Sequence, residues 1–267
     1  MFPFASATVV DAASDSGRRR LADALGRVVL VAAPHCDDAP YSLAGTMRAL
    51  AAAGCGVTML TIFGRSAYAP NRPGLDIDAV SALRQAEDVA AAGAIATGIA
   101  VRALAHEDVA VRRALPVERV VSKAALDDDD RGWIDRVAAE LAAAAASHDA
   151  ILAPLGMGWH LDHRIVAAAG ARLARQGAAV TFYEDLPYAG FTRDSRLWLA
   201  QLRRLRAVGL CLRPLDVRCA DLPALKRAVF DAYPSQASDA FWRGIARQTE
   251  RRQGAERLWL RRGAGSA

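Results

Sequence analysis

Val28-Val29-Leu30-Val31-Ala32-Ala33-Pro34-His35-Cys36-Asp37-Asp38 is the stretch on which the fold turns. An unbroken apolar run, rich in valine, leads straight into imidazole, thiol and carboxylate. A short continuous apolar run bounded by a turn reads as a strand buried on both faces. The same grammar returns at Ala150-Ile151-Leu152-Ala153, which precedes His160-Leu161-Asp162-His163. Polar residues just past the carboxyl ends of buried strands are where open α/β sheets build their sites. The chain has 5 histidines, and His35, His160 and His163 all fall in these two segments, so the pairing of strand end with ligand-type residue is the feature to explain.

Outward from this stretch, strands and helices alternate. Strand 27–33 is followed by a helix over 40–53, a Gly54-Cys55-Gly56 turn, strand 57–63, a helix over 80–94 and a short strand over 99–104. The run Asp127 to Asp130 precedes a helix over 133–146 and reads as N-terminal acids complementing a helix dipole, in preference to a calcium site. Strand 150–154, a helix over 162–175 and strand 179–183 repeat the alternation. Helix 194–207, strand 213–218, helices 221–232 and 237–252 and strand 256–261 complete the chain. Such alternation predicts an α/β fold, a mostly parallel central sheet between two helical layers, in one domain over 27–262. Residues 1–26 read as an irregular or helical lead-in. Neither GxGxxG nor GxxxxGK[ST] occurs, which removes dinucleotide and P-loop nucleotide binding.

Bulk properties bound the function. At 267 residues the chain can bury one large core or two modest ones, and 53% hydrophobic against 24% charged residues places it outside the disordered class. Lys123 and Lys226 are the only lysines among 34 basic side chains. This arginine skew beside abundant alanine reads as coding bias, and the net charge of +5 as a solvated surface with no nucleic-acid partner. Cys36, Cys55, Cys211 and Cys219 form no CxxC and no disulfide framework, which fits reduced thiols in a cytoplasmic protein. No apolar run is long enough for a membrane span, and no export leader is expected. Homo-oligomerisation is left open.

His35 and Asp38 are three apart, as are His160 and His163. If each segment enters a helix, members three apart share a face and can converge on one ion, leaving Asp37 and Asp162 for other roles. Imidazole and carboxylate together suit Zn²⁺, while Fe²⁺ or Co²⁺ fits the same set. A hydrolytic site needs such a division, ligands on one side and a proton-accepting carboxylate on the other. A lone histidine beside an apolar strand is more often a satisfied core residue, so it is the coincidence of two clusters that points to a metal.

Pro34-His35-Cys36-Asp37-Asp38 with Ser42-Leu43-Ala44-Gly45-Thr46, together with His160-Leu161-Asp162-His163, resembles the two signature motifs of the PIG-L/LmbE-like family of zinc-dependent N-deacetylases. Arg84-x-x-Glu87, Tyr183-Glu184-Asp185-Leu186-Pro187-Tyr188, and Lys226 with Tyr233-Pro234-Ser235-Gln236 are weaker agreements. The resemblance implies a Rossmann-like three-layer fold and an amino-sugar conjugate as substrate. By position it implies His35, Asp38 and His163 as zinc ligands, Asp37 as general base on zinc-bound water, His160 at the oxyanion or leaving amine, and Asp162 orienting a histidine. Arg84 then binds a sugar hydroxyl or anionic group, and Asp108 and Tyr188 join it at the substrate. Cys36 stands where proline is common and Ala39 where glutamate is frequent; neither change removes a catalytic role. The alternatives are an amidase on a larger acyl or thiol conjugate and a non-catalytic sugar-binding relative.

Overall fold

The computed structural model describes residues 7–116, 119–191 and 195–262. Its strands are β1 (Thr8–Asp11), β2 (Val28–Ala33), β3 (Gly56–Thr61), β4 (Ala100–Ala103), β5 (Ala150–Pro154), β6 (Val180–Tyr183), β7 (Leu212–Arg218) and β8 (Ala255–Arg261). Its helices are α1 (Asp15–Leu25), α2 (Asp38–Ala52), α3 (Ile77–Ile95), α4 (Val109–Arg112), α5 (Asp128–Ala144), α6 (Leu161–Arg175), α7 (Tyr188–Phe191), α8 (Ser195–Ala207), α9 (Leu222–Asp231) and α10 (Asp239–Arg251). Residues 1–6 of the expected lead-in, and Asp194 at the head of the expected helix 194–207, lie outside the described residues.

All eight strands form one sheet in the order β1-β7-β8-β6-β5-β2-β3-β4. β2 pairs in parallel with both β3 and β5, so that Val31 lies opposite Met59 on one side and Leu152 on the other. β8 alone runs antiparallel, between β6 and β7. The continuous apolar runs read from the sequence are these central strands: Val29 to Ala33 and Ile151 to Ala153 are buried throughout. Full burial of a valine, leucine or isoleucine is worth roughly 1.5–3 kcal/mol, so the two strand ends that carry the motifs are held at the sheet's firmest point.

The crossover β2–α2–β3 steps toward the β4 edge, while β5–α6–β6 steps toward the opposite edge. Right-handed crossovers then set α2 and α6 on opposite faces. α2 packs with α1, α3 and α9, and α6 packs with α5, which gives the three layers. The order reverses between β2 and β5, and a crevice at that reversal is where ligands bind in doubly wound sheets.

The lead-in needs correction. β1 pairs in parallel with β7, Thr8 opposite Leu215 through Asp11 opposite Arg218, and α1 buries Leu21, Ala22 and Leu25. A four-residue edge strand with only Val10 buried carries too little periodicity to be read beforehand. The acidic run is a helix start as expected. Asp127 and Asp130 form a reciprocal cap at the head of α5, and Arg113 bridges Asp127, Asp129 and Asp130 at 2.8–3.0 Å.

Candidate functional site

Between β2 and α2 the chain makes a tight turn in which Asp37 takes φ of 94°. That is left-handed backbone for a residue with a Cβ, at a cost of roughly 1–3 kcal/mol that its surroundings must offset. Helix α3 supplies the offset. The Asp37 N–H donates to Asp88 Oδ1 at 3.0 Å, and Asp88 also accepts from the Tyr233 hydroxyl at 2.6 Å and Thr61 Oγ1 at 3.0 Å. Arg84, one turn earlier, donates to the Cys36 carbonyl at 2.9 Å and Ser66 Oγ at 2.8 Å. Arg84 therefore grips the motif turn, and the ion pair with Glu87 or Asp88 that its spacing allows is not what forms. Glu87 instead accepts from Ser235.

After β5, Gly156 (φ 77°) and Gly158 (φ 79°) carry the chain through left-handed backbone to His160, the N-cap of α6. The Asp162 N–H donates to His160 Nδ1 at 3.2 Å, so the proton of the neutral ring resides on Nε2. His163 follows in the first turn of α6.

The two segments converge, though not by the route their spacing suggests. His35 lies in the turn and not on a helix, so the shared helix face expected for His35 and Asp38 does not exist; the tight turn brings them together instead. Asp38 Oδ2 lies 3.3 Å from His35 Nδ1 and 3.2 Å from His163 Nε2. The remote nitrogens are each held by a carboxylate: His35 Nε2 meets Asp162 Oδ2 at 2.9 Å, and His163 Nδ1 meets Asp185 Oδ1 at 2.7 Å. Both imidazoles thus direct a lone pair at the same place, and His163 Nε2, wholly buried, has no hydrogen-bond partner among the described atoms. One donor atom each from His35, His160 and His163 also lie within 4.8 Å of one another. Imidazoles oriented by carboxylates around a further carboxylate are the donor set of a zinc, iron or cobalt centre. The residues present fit such an ion.

Charge favours the same reading. Asp38 and Asp162, both held below the ordinary carboxylate range by the imidazoles beside them despite burial, face the rings of His35 and His163 in this buried volume. Burial opposes a charged imidazole, yet Asp162 and Asp38 outweigh it and push His35 up to about 9; Asp38 and Asp185 push His163 up to about 10. A field that holds a positive charge on these rings would equally hold a divalent cation between them. Adjacent Asp37 and Asp38 move apart: burial and the charge of Asp38 raise the Asp37 carboxyl well above the carboxylate range, whereas His163 and His35 overcome burial at Asp38 and hold it below that range. Such divergence separates a proton acceptor from a ligand. Burial, then the charge of His35, pulls His160 well below its ordinary value, which leaves it neutral.

Asp108 is buried and caps α4, its Oδ1 accepting from the Val111 N–H at 2.9 Å. The Tyr188 ring stands edge-on to His163 with centroids 4.9 Å apart. His106, read as a loop histidine, pairs with Glu140 at 2.7 Å. The loop after Phe63 is tied by Arg65 N to the His106 carbonyl and by Asn71 N to the Ser235 carbonyl. Sequence reasoning assigned no role to Asp88, Arg112 or Asp185. Only Asp185 had a signal, its place just beyond the end of β6.

Fold and cluster together define a hydrolase built on a doubly wound sheet. A family profile described as PIG-L, GlcNAc-PI de-N-acetylase, matches residues 30–174. The chain is 34% identical over 247 residues to the 2'-N-acetylparomamine deacetylase of Streptomyces fradiae, covering 90% of this chain and 84% of that protein. Among solved structures, an A40926 pseudoaglycone deacetylase superposes with a TM-score of 0.66 at 21% identity, covering 90% of this chain and 99% of that one. A zinc-inhibited form of teicoplanin deacetylase superposes with a TM-score of 0.64 at 24% identity, covering 90% and 100%. At those identities the structural likeness shows the fold. The chain belongs to the PIG-L family and is an N-deacetylase, a hydrolase of amide bonds.

Proposed function

We propose that the chain removes the N-acetyl group from an amino-sugar conjugate in specialised-metabolite assembly, with zinc held by His35, Asp38 and His163. The observation that carries this reading is the approach of His35 Nδ1 and His163 Nε2 to one oxygen of Asp38, beside an Asp37 carboxylate that caps nothing. The relative in Streptomyces is named for deacetylating 2'-N-acetylparomamine, which supports an N-acetylated amino sugar as the substrate class. Among the described residues no helix is long and apolar enough to cross a membrane. Unpaired Cys36, Cys55 and Cys219 support a cytoplasmic site of action.

Bound there, zinc would supply Lewis acidity, polarising the acetyl carbonyl and acidifying water toward a pKa of ~7. The protein's own groups do the rest. Asp37 takes a proton from the attacking water and passes it to the amide nitrogen as the C–N bond breaks, so that acetate and a free amine leave. His160, neutral and with its proton on Nε2, donates a hydrogen bond to the oxygen that gains charge. Asp162 and Asp185 keep the ligand imidazoles in the tautomers that present lone pairs inward. The Tyr188 ring walls the site beside His163, while Arg84, whose Nε lacks a partner among the described atoms, and Asp108 are the groups for the sugar.

The test pairs metal content with acetate release from N-acetylglucosamine conjugates, for wild type and Asp37→Asn. About one zinc per chain is expected in both, with activity falling by roughly 10²–10⁴-fold in the variant. No stoichiometric metal in wild type after zinc is supplied, or an Asp37→Asn variant that stays active, would overturn the proposal. Release of a longer acyl chain in preference to acetate would move the substrate to the amidase class.

A further inference from the structure

We propose that Arg112, with the short helix α4 that carries it, is a positioning residue for the ligand His35. It acts through Asp162 and fixes which imidazole nitrogen faces the ion. The inference rests on the metal reading above.

Asp162 is wholly buried, and each of its oxygens faces a partner. Oδ1 forms an ion pair with Arg112 Nη1 at 2.6 Å, with no hydrogen bond of its own among the described atoms. Oδ2 accepts the Val109 N–H at 2.9 Å and lies 2.9 Å from His35 Nε2. Apart from His35 itself, both of these grips come from α4. The Arg112 guanidinium is confined between aromatic faces, 4.8 Å from the Phe63 ring and 5.0 Å from the Trp133 ring, with its side chain 7% exposed. Its Nε and Nη2 have no hydrogen-bond partner among the described atoms. Its Nη1 also donates to the Glu107 carbonyl at 3.2 Å. Leaving two buried donors unmade is costly, and the shortest polar contact of the guanidinium is with Asp162 Oδ1.

The geometric consequence falls on His35. With Oδ1 against the guanidinium and Oδ2 accepting the Val109 N–H, the Asp162 carboxylate is oriented to present an acceptor to His35 Nε2. The ring then carries its proton on Nε2 and turns the Nδ1 lone pair to Asp38. Without Arg112 the carboxylate is free to turn. The other tautomer, with N–H on Nδ1 facing Asp38, then becomes accessible, and it cannot bind a cation there. Asp108 belongs to the same device: its N–H donates to the Arg65 carbonyl at 2.8 Å while its side chain caps α4, so it sets the helix from which Val109 and Arg112 reach Asp162.

The experiment compares wild type with Arg112→Met, which keeps an unbranched apolar stem between the rings, with Arg112→Lys, and with Arg113→Met as a neighbouring control. Zinc affinity is read by competition with a chromophoric chelator, and the His35 tautomer by long-range ¹H–¹⁵N correlation of the imidazoles. Arg112→Met is expected to weaken zinc binding roughly 10–100-fold and to move the His35 ring signals toward the Nδ1–H pattern, as loss of a partner behind a metal ligand does. Arg112→Lys recovers part of the loss because it restores the charge without the fork, and Arg113→Met changes neither readout. Arg112→Gln gives the same reading if the methionine variant does not fold. Zinc affinity within about twofold of wild type, well short of the usual loss, with an unchanged tautomer sinks the proposal. A wild type that takes no zinc at all sinks the metal reading instead, and the tautomer comparison, made above the His35 value of about 9 where the ring is neutral, still decides the role of Arg112.

Discussion

The two motif-bearing loops leave neighbouring strands and supply one cluster, yet the first runs into a helix braced from far along the chain and the second is held by partners nearer in sequence. The turn after β2 holds Asp37 at a positive φ and runs into an α2 that breaks at Leu43 (φ −129°). The break frees backbone groups that distant residues must satisfy. Glu256 accepts the Gly45 and Thr46 N–H groups at 3.0 and 2.7 Å, and Lys226 Nζ donates to the Tyr41 carbonyl at 2.5 Å. Lys226 and Glu256 also pair with each other at 2.5 Å, both almost wholly buried. The loop after β5 relies on glycines, the His160 cap and partners closer in sequence. Asp185 accepts the Gly156 and Met157 N–H groups, Gln201 donates to the Gly156 carbonyl, the Ser122 N–H donates to the Trp159 carbonyl, and the Val120 carbonyl accepts from the Leu161 N–H. The break in α2 behind the first turn is thus held by a buried network over 180 residues further along the chain, while the second loop is held by partners much nearer in sequence.

The comparison is most exposed at Lys226. Lys226→Met leaves Glu256 buried without its cation, a loss of about 3–5 kcal/mol, and a melting temperature lower by roughly 10 °C is expected for a domain of this size. Lys226→Met/Glu256→Gln should recover part of this, because it removes the unpaired buried charge, although the amide keeps only one of the two acceptor oxygens that Gly45 and Thr46 use. A single variant that melts like wild type would mean the first turn holds itself, and the contrast would fail. Asp185→Asn probes the other loop. The amide oxygen can keep the backbone donors, but its NH₂ cannot accept the His163 Nδ1 proton, so His163 tends to the wrong tautomer. Metal affinity or kcat is expected to fall roughly 10–100-fold, about 1.4–2.7 kcal/mol, with melting nearly unchanged. A large drop in melting temperature would show that Asp185 braces the loop as Glu256 braces α2.

The same contrast explains what could be read in advance. β2, β5 and their motifs were legible because a strand buried on both faces writes its burial into consecutive letters, and the ligands follow within a few residues. The spacing of His35 and Asp38 gave the right convergence for the wrong reason, since a three-residue offset fits a tight turn as well as a helix face. Asp88, Arg112 and Glu256 were silent because their neighbours in sequence are ordinary helix or strand residues and their partners lie far along the chain. Asp108 was read as a substrate group; that one of its oxygens also caps α4 was not legible. β1 was missed for want of a buried face.

The smallest expected effect, and the sharpest on the second loop alone, is at Gly158. Its φ of 79° costs an alanine about 1–2 kcal/mol. A Cβ placed there would also stand 2.5 Å from Tyr188 Cδ1, closer than any real contact, so the ring must give way. Tyr188 sits edge-on to His163, and displacing it moves the wall of the site without touching a ligand nitrogen. Gly158→Ala should therefore keep its zinc, lose only a few degrees in melting temperature, and raise KM for the amino-sugar conjugate more than it lowers kcat. If zinc is lost as well, the loop after β5 places the ligands through its backbone conformation, and the His160 cap with Asp185 is not sufficient to hold them.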